Sequence, residues 1–175
     1  WREWAFNSRK DLVRYARLNK IAIDFDLGKK SPYSMDANIL HTSYEGGILE
    51  DPWKSPEESM WLRTKSIEKS ANKADILELE FKNGDIIKIN KKILSPCKVL
   101  GKLNQLAGKH GIGRIDIVEN RYVGIKSRGC YETPGGTIYH KAHKAMESIT
   151  MDRELLHLKE DLANRYTRLI YNGYW

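Results

Sequence analysis

The sequence predicts an α+β fold: antiparallel β-hairpins packed with several helices, ending in a long C-terminal helix. Three observations carry this. Leu77, Leu79 and Phe81 alternate with Glu78, Glu80 and Lys82, Asn83-Gly84 follows, and Ile87 and Ile89 then alternate with Lys88. Alternation, a turn pair that tolerates positive φ, and alternation again mark a two-residue hairpin. Leu155, Leu158, Leu162, Tyr166, Leu169 and Ile170 recur every three or four residues, the spacing of one stripe on a long helix. The stretch GRIDIVENRYVGIKSRGCYETPGG, 113–136, holds a short alternating strand, a charged turn, a second strand, a basic glycine turn and a helix entrance.

The elements follow in order. Ser8-Arg9-Lys10-Asp11 reads as a helix cap with an acidic first turn, and Leu12, Val13 and Ala16 continue an apolar stripe to about Asn19. Ile21 to Phe25 alternates and predicts a short strand. Residues 28–60 carry Gly28, Pro32, Gly46, Gly47, Pro52 and Pro56 as breakers and read as one long irregular loop, which marks function more often than packing. The 77–89 hairpin comes next. Ser95-Pro96 opens a helix, Val99, Leu100, Leu103, Leu106 and Ala107 form its buried face, and Gly108 to Gly113 ends it. Residues 114–118 and 121–126 predict a second strand pair. Thr133-Pro134 opens a helix with Ile138, Ala142, Ala145 and Met146 inward. Thr150 is expected to cap the last helix, and Asn172-Gly173 to stop it.

Composition bounds the class. The 175 residues suffice for one domain with a real core, and 41% hydrophobic with 30% charged residues is a globular balance. No apolar run approaches the roughly 18 residues of a membrane span. Two cysteines, Cys97 and Cys130, cannot build a disulfide framework, which points to a reduced, cytoplasmic setting. His140 and His143 share one predicted helix without an H-E-x-x-H motif or a cysteine cluster, so they read as a solvated face and not a metal site. The net charge of +7 is spread along the chain with acidic neighbours, not gathered in a stripe. It does not argue for nucleic acid. Tryptophan stands at both ends, Trp1 and Trp175, where polar, loose residues are usual, so the chain reads as an internal piece of a longer protein.

In 113–136, Asp116, Glu119, Asn120, Arg121, Lys126, Ser127, Arg128, Tyr131, Glu132 and Thr133 crowd the ends of the apolar runs. Such density of polar groups suits a site for a charged small molecule. Lys126-Ser127-Arg128-Gly129 reads either as a cradle for a phosphate or an amino-acid carboxylate, or as the basic end of a hairpin.

The segments PYSMDANILHTSYEGGILEDP (32–52), AGKHGIGRIDIVENRYVGIKSRGCYETPGGT (107–137) and MDRELLHLKEDLANRYTRLIYNGYW (151–175) resemble the argininosuccinate synthase family. The resemblance runs in order from Trp1 to Trp175 and is weakest over 54–75. It covers only the family's second, synthetase domain. The Ser-Gly-Gly-Leu-Asp-Thr-Ser loop of the family's N-terminal nucleotide-binding domain has no counterpart in these residues, nor does the family's C-terminal arm. The resemblance implies a ligase that joins citrulline to aspartate, using ATP to adenylylate the citrulline ureido oxygen with release of pyrophosphate, before the aspartate amine displaces AMP. ATP, with Mg2+, would be held mainly by the N-terminal domain. This domain would contribute citrulline contacts and the subunit contacts of a homotetramer. Four positions match the family's citrulline binders: Ser34 in Tyr33-Ser34-Met35-Asp36, Ser43 in Thr42-Ser43-Tyr44-Glu45, Glu119 in Val118-Glu119-Asn120, and Tyr131 in Cys130-Tyr131-Glu132. Their chemistry suits the ligand. Glu119 can meet an ammonium, and Ser34, Ser43 and Tyr131 can meet a carboxylate and a urea. Two other classes compete: a non-catalytic oligomerisation module, favoured by the last helix, and a basic nucleic-acid-binding domain, resting on charge alone.

Overall fold

The computed structural model describes residues 2–22 and 33–174. Among the described residues its α+β architecture has four helices and two antiparallel sheets. Helix α1, Arg9–Leu18, begins where the Ser8 side chain accepts from the Asp11 amide, as the sequence predicts. Beyond it Ile21 and Ala22 are irregular, and the remainder of the expected 21–25 strand lies outside the described residues.

The expected loop over 28–60 is more regular than its breakers suggest. From Tyr33 onward it holds strands β1, Ser34–Ala37, and β2, Thr42–Glu45, joined by a short turn, and two 3-10 turns at Gly47–Glu50 and Glu58–Met60. Four-residue strands are too short to show a period, and Pro and Gly sit just beyond their ends rather than inside them. Strands β3, Leu79–Lys82, and β4, Asp85–Ile89, form the predicted hairpin. Asn83 (φ 52°) and Gly84 (φ 89°) supply the two positive φ angles that a type I′ turn needs. A short β5, Lys92–Ile93, completes this sheet in the order β3-β4-β5.

Helix α2, Pro96–Lys109, buries Val99, Leu103 and Ala107 along one face, with Leu100 and Leu106 half-buried. Val99 and Leu103 pack on Ile86 and Ile89 of β4, and Leu79, Phe81, Ile138 and Tyr139 close round them. Each such aliphatic side chain contributes about 1.5–3 kcal/mol by leaving water. At the C-terminal end of α2 the chain passes so close that a Cβ on Gly108 would lie 2.2 Å from the Arg63 carbonyl oxygen. Lys65 N–H donates to the Gly108 carbonyl across that contact.

Strands β6, Arg114–Asn120, and β7, Lys126–Glu132, differ from the expected pair. Residues 121–125 form the turn, and the second strand is 126–132, running through the segment that reads as a basic glycine turn. The apolar alternation of Tyr122, Val123 and Ile125 belongs to that turn, where all three are exposed, while the backbone ladder continues through Ser127 and Gly129. The sheet order is β1-β2-β7-β6, all antiparallel. Its inner face carries Thr42, Tyr44, Cys130 and Glu132 against Leu49, Met60 and Trp61.

Helix α3, Pro134–Thr150, packs its first turns on α2. The Asn104 side-chain oxygen accepts from Gly135 N–H, and its amide donates to the Ile39 carbonyl, so one residue ties α2 to α3 and to the β1–β2 turn. Ile138 and Ala142 are half-buried, but Ala145 and Met146 are exposed, because the far half of α3 projects beyond the core. Thr150 is the last residue of α3, bonding back to the Met146 carbonyl. Asp152, not Thr150, caps α4, Arg153–Tyr171, through the Glu154 and Leu155 amides. Asp and Thr both serve as caps, and the break at Met151 places Asp152 at the start of α4. Gly173 (φ 71°) ends α4, with the Tyr174 amide donating to the Leu169 carbonyl in the six-to-one bond of a Schellman motif. Among the described residues α4 buries none of its side chains; Leu162 is 51% and Tyr166 65% exposed. Strands 76–89 therefore do not cover its stripe.

Candidate functional site

The period-two geometry of the four-stranded sheet decides which polar side chains meet. Tyr131 on β7 stands opposite Ser43 on β2 and Ile115 on β6; Ser43 stands opposite Asp36, Ser34 opposite Glu45, and Glu119 opposite Ser127. Alternation therefore places Ser34, Ser43, Glu119 and Tyr131 on one face, together with Asp36, Glu45, Ser127, Gly129, Ile115 and Ile117. This is the face away from the Tyr44–Cys130 core. All four residues singled out in the sequence lie on it, although they come from four strands and span nearly one hundred positions.

Two of the four touch. Tyr131 Oη donates to Glu119 Oε1 at 2.7 Å. The phenol reaches that far because it lies along its own strand across Gly129: a Cβ there would sit 2.7 Å from Oη and 2.9 Å from Cε2 and Cζ. The His41 ring flanks Tyr131 with 6.4 Å between ring centres. Burial, and then the hydrogen bond to Glu119, push the Tyr131 phenol up to about 12, so it stays a neutral donor at physiological pH. Ser43 lies beside Tyr131 in register and makes a long 3.5 Å bond to the Asp36 carbonyl. Ser34 is exposed on the edge strand and touches none of the other three.

An open cleft of about 560 Å³ rounds the end of this sheet. Ser34, Glu45, Arg121 and Ser127 line it from this face and Leu49, Val118, Lys126 and Arg128 from the other, while Ser43, Glu119 and Tyr131 lie outside it on the flatter part of the candidate face. Arg121 pairs with the Glu45 carboxylate and also donates to Ser127 Oγ at 3.2 Å, joining the β6–β7 turn to β2. Sequence reading leaves Glu45 out of the site and brings in Gly129 only as part of the Lys126–Gly129 cradle. The available signal for Glu45 is its position two residues beyond Ser43; for Gly129 it is a glycine two residues before a tyrosine in a strand, legible only once the strand's bounds are known.

Lys126-Ser127-Arg128-Gly129 is strand and not a glycine turn, and Lys126, Ser127 and Arg128 line the cleft. Arg128 points to the other face, where its guanidinium makes two bonds to Asp116, at 2.9 and 2.8 Å, and donates to the Asp51 and Lys54 carbonyls. The paired guanidinium holds the Asp116 carboxyl below the usual range. Glu132 is likewise turned inward. It is 0% exposed and accepts from Tyr44 Oη (2.6 Å), the Leu62, Arg63 and Thr64 amides, and Thr64 Oγ1 (2.6 Å). Its five donors hold segment 62–64 against the sheet's inner face. His143 Nδ1 lies 3.3 Å from the Glu147 carboxylate and its ring stacks on Tyr139, and His140 is exposed. Among the described residues no group of three or more His, Cys, Asp or Glu is placed to hold a metal ion, and no helix is long and apolar enough to cross a membrane.

Fold and site together define an α+β unit whose open sheet face carries Ser34, Ser43, Tyr131 and the Glu119 carboxylate, with Tyr131 bonded to Glu119. Residues 33–175 match the family model for the arginosuccinate synthase C-terminal domain. The chain is 63% identical over all 175 residues to the argininosuccinate synthase of Nitrosococcus oceani, and 61% identical to those of Nitratiruptor sp. and Campylobacter jejuni. It spans 43% of the length of each. The chain belongs to the argininosuccinate synthase family.

Proposed function

We propose that this chain is the synthetase domain of an argininosuccinate synthase, and that its open sheet face binds citrulline. The full-length protein is then a carbon–nitrogen ligase of arginine biosynthesis. It adenylylates the citrulline ureido oxygen with ATP, releases pyrophosphate, and lets the aspartate amine displace AMP. In this reading the site works by positioning and charge control, since nucleotidyl transfer asks little covalent chemistry of the protein. Glu119 meets the citrulline ammonium, with Tyr131 orienting its carboxylate. Ser34, Ser43 and the phenol oxygen serve the carboxylate and urea. ATP, Mg2+ and most aspartate contacts fall to an N-terminal nucleotide-binding domain that closes over the face, and the enzyme works in the cytoplasm.

The observation that carries this reading is the meeting of the four matched positions on one sheet face, with Tyr131 bonded to Glu119 at 2.7 Å. The test is Glu119→Gln in the full-length enzyme. Loss of a charge-assisted contact should cost about 1.5–3 kcal/mol, a rise of roughly ten- to a hundred-fold in the citrulline KM, with the ATP KM nearly unmoved. Unchanged citrulline kinetics would remove Glu119 from the site. A second role has its own support. The apolar stripe of α4 is exposed along its whole length, a pattern that monomeric surfaces avoid. In this reading α4 contributes subunit contacts to a homotetramer.

A further inference from the structure

We propose that Gly129 is a positioning residue for the candidate site: its bare Cα is the seat that lets the Tyr131 phenol lie along β7 and reach Glu119. This rests on the assignment of Tyr131 and Glu119 to the citrulline site.

Glycine in the middle of a strand weakens it, so its presence there asks for a reason. Backbone conformation is not the reason. Gly129 is absent from the residues with positive φ, and it pairs regularly with Ile117 in the β6–β7 ladder. A side chain could adopt that backbone without strain. Space is the reason. Gly129 is buried, and the three atoms nearest to a Cβ at this position all belong to Tyr131, at 2.7 Å (Oη), 2.9 Å (Cε2) and 2.9 Å (Cζ).

The register explains why the phenol must cross that point. Tyr131 stands opposite Ile115, whereas Glu119 stands opposite Ser127, four residues further along β7. The position between Tyr131 and Ser127 on this face is 129. A tyrosine standing upright from its own backbone could not approach Glu119; one laid flat brings its Oη over position 129, and the Glu119 side chain reaches back to meet it. Any side chain at 129 fills the path. His41 flanks the ring and Ser43 stands beside it on β2, so the ring cannot simply slide sideways and keep its bond. The carboxylate of Glu119 would then keep its charge but lose the donor that orients it.

The test uses the full-length enzyme with three variants: Gly129→Ala, Tyr131→Phe and the double variant. Tyr131→Phe removes the bond directly. Gly129→Ala is expected to raise the citrulline KM about ten-fold, the scale of one hydrogen bond to a charged group, and to leave the ATP KM within about two-fold. Because both changes remove the same contact, the double variant should be no worse than Tyr131→Phe by more than about two-fold. If Tyr131→Phe leaves the citrulline KM unchanged, the assignment of Tyr131 to the site fails and the proposal falls with it. If Tyr131→Phe raises KM while Gly129→Ala does not, or if the two effects multiply, the assignment stands and the role of Gly129 is overturned. Should Gly129→Ala not fold, solubility of the double variant decides. A Phe ring no longer bonded to Glu119 can turn off position 129, so a soluble double variant supports the proposal. An insoluble one makes Gly129 a backbone requirement and refutes it.

Discussion

Replacing Glu132 by Gln should unfasten segment 62–64 from the sheet, because the change alters one atom at the centre of five hydrogen bonds. Oε1 accepts from the Thr64 amide (2.9 Å) and Thr64 Oγ1, and Oε2 from the Leu62 amide (2.9 Å) and Tyr44 Oη, with the Arg63 amide shared at 3.0 and 3.1 Å. Whichever oxygen becomes an NH2 group then faces a backbone N–H that cannot turn round. One buried donor left unsatisfied costs about 1–3 kcal/mol. The remaining bonds also weaken, since those to a charged acceptor are roughly twice as strong as neutral ones. The Tyr44 and Thr64 hydroxyls can rotate to accept, which moderates the loss. The sum is about 3 kcal/mol, a hundred-fold or more in the folding equilibrium and a large share of the 5–15 kcal/mol typical of a domain. Urea denaturation should show a lower midpoint at unchanged slope, and limited proteolysis a new cut near 60–64. A shift under about 0.5 kcal/mol with unaltered cleavage would refute the view that Glu132 anchors this segment.

Changing Leu169 and Ile170 to Lys in the full-length protein should lower its solution mass while circular dichroism shows folded subunits, because neither residue is buried within this chain; an unchanged solution mass counts against α4 as a subunit contact. Asp75 is held down to about 2 by Lys109 first and His110 second, so the pair's stabilisation is present above the ordinary carboxylate range and fades as pH falls from about 4 toward 2. Asp75→Asn should therefore flatten the dependence of Tm on pH in that interval, and an unaltered slope would show that the pair is not felt. The chain 1–175 by itself, given citrulline, aspartate and ATP, should release no AMP, since half a site cannot position the nucleotide; measurable AMP would overturn that division of labour.

How the chain folds was legible wherever a residue pattern acts over a few positions. Asn83-Gly84 between alternating runs specifies its hairpin because the turn's φ angles admit few residues. Pro96 and Pro134 open helices, and the Gly173 stop ends one, for equally local reasons. The motif matches over 32–52 and 107–137 single out Ser34, Ser43, Glu119 and Tyr131 as candidates from sequence alone. Strand bounds were not local. Ser127 and Gly129 look like a turn, and they are strand because β6 pairs with them through Glu119 and Ile117. Only the tertiary structure could decide that the four site residues share a face, since a one-residue shift in register would send each strand's side chains to the opposite side. It alone turned Arg128 and Glu132 inward while Tyr131 between them faces out. It alone gave Gly129 its meaning, because the space a missing side chain leaves is defined by the ring that fills it.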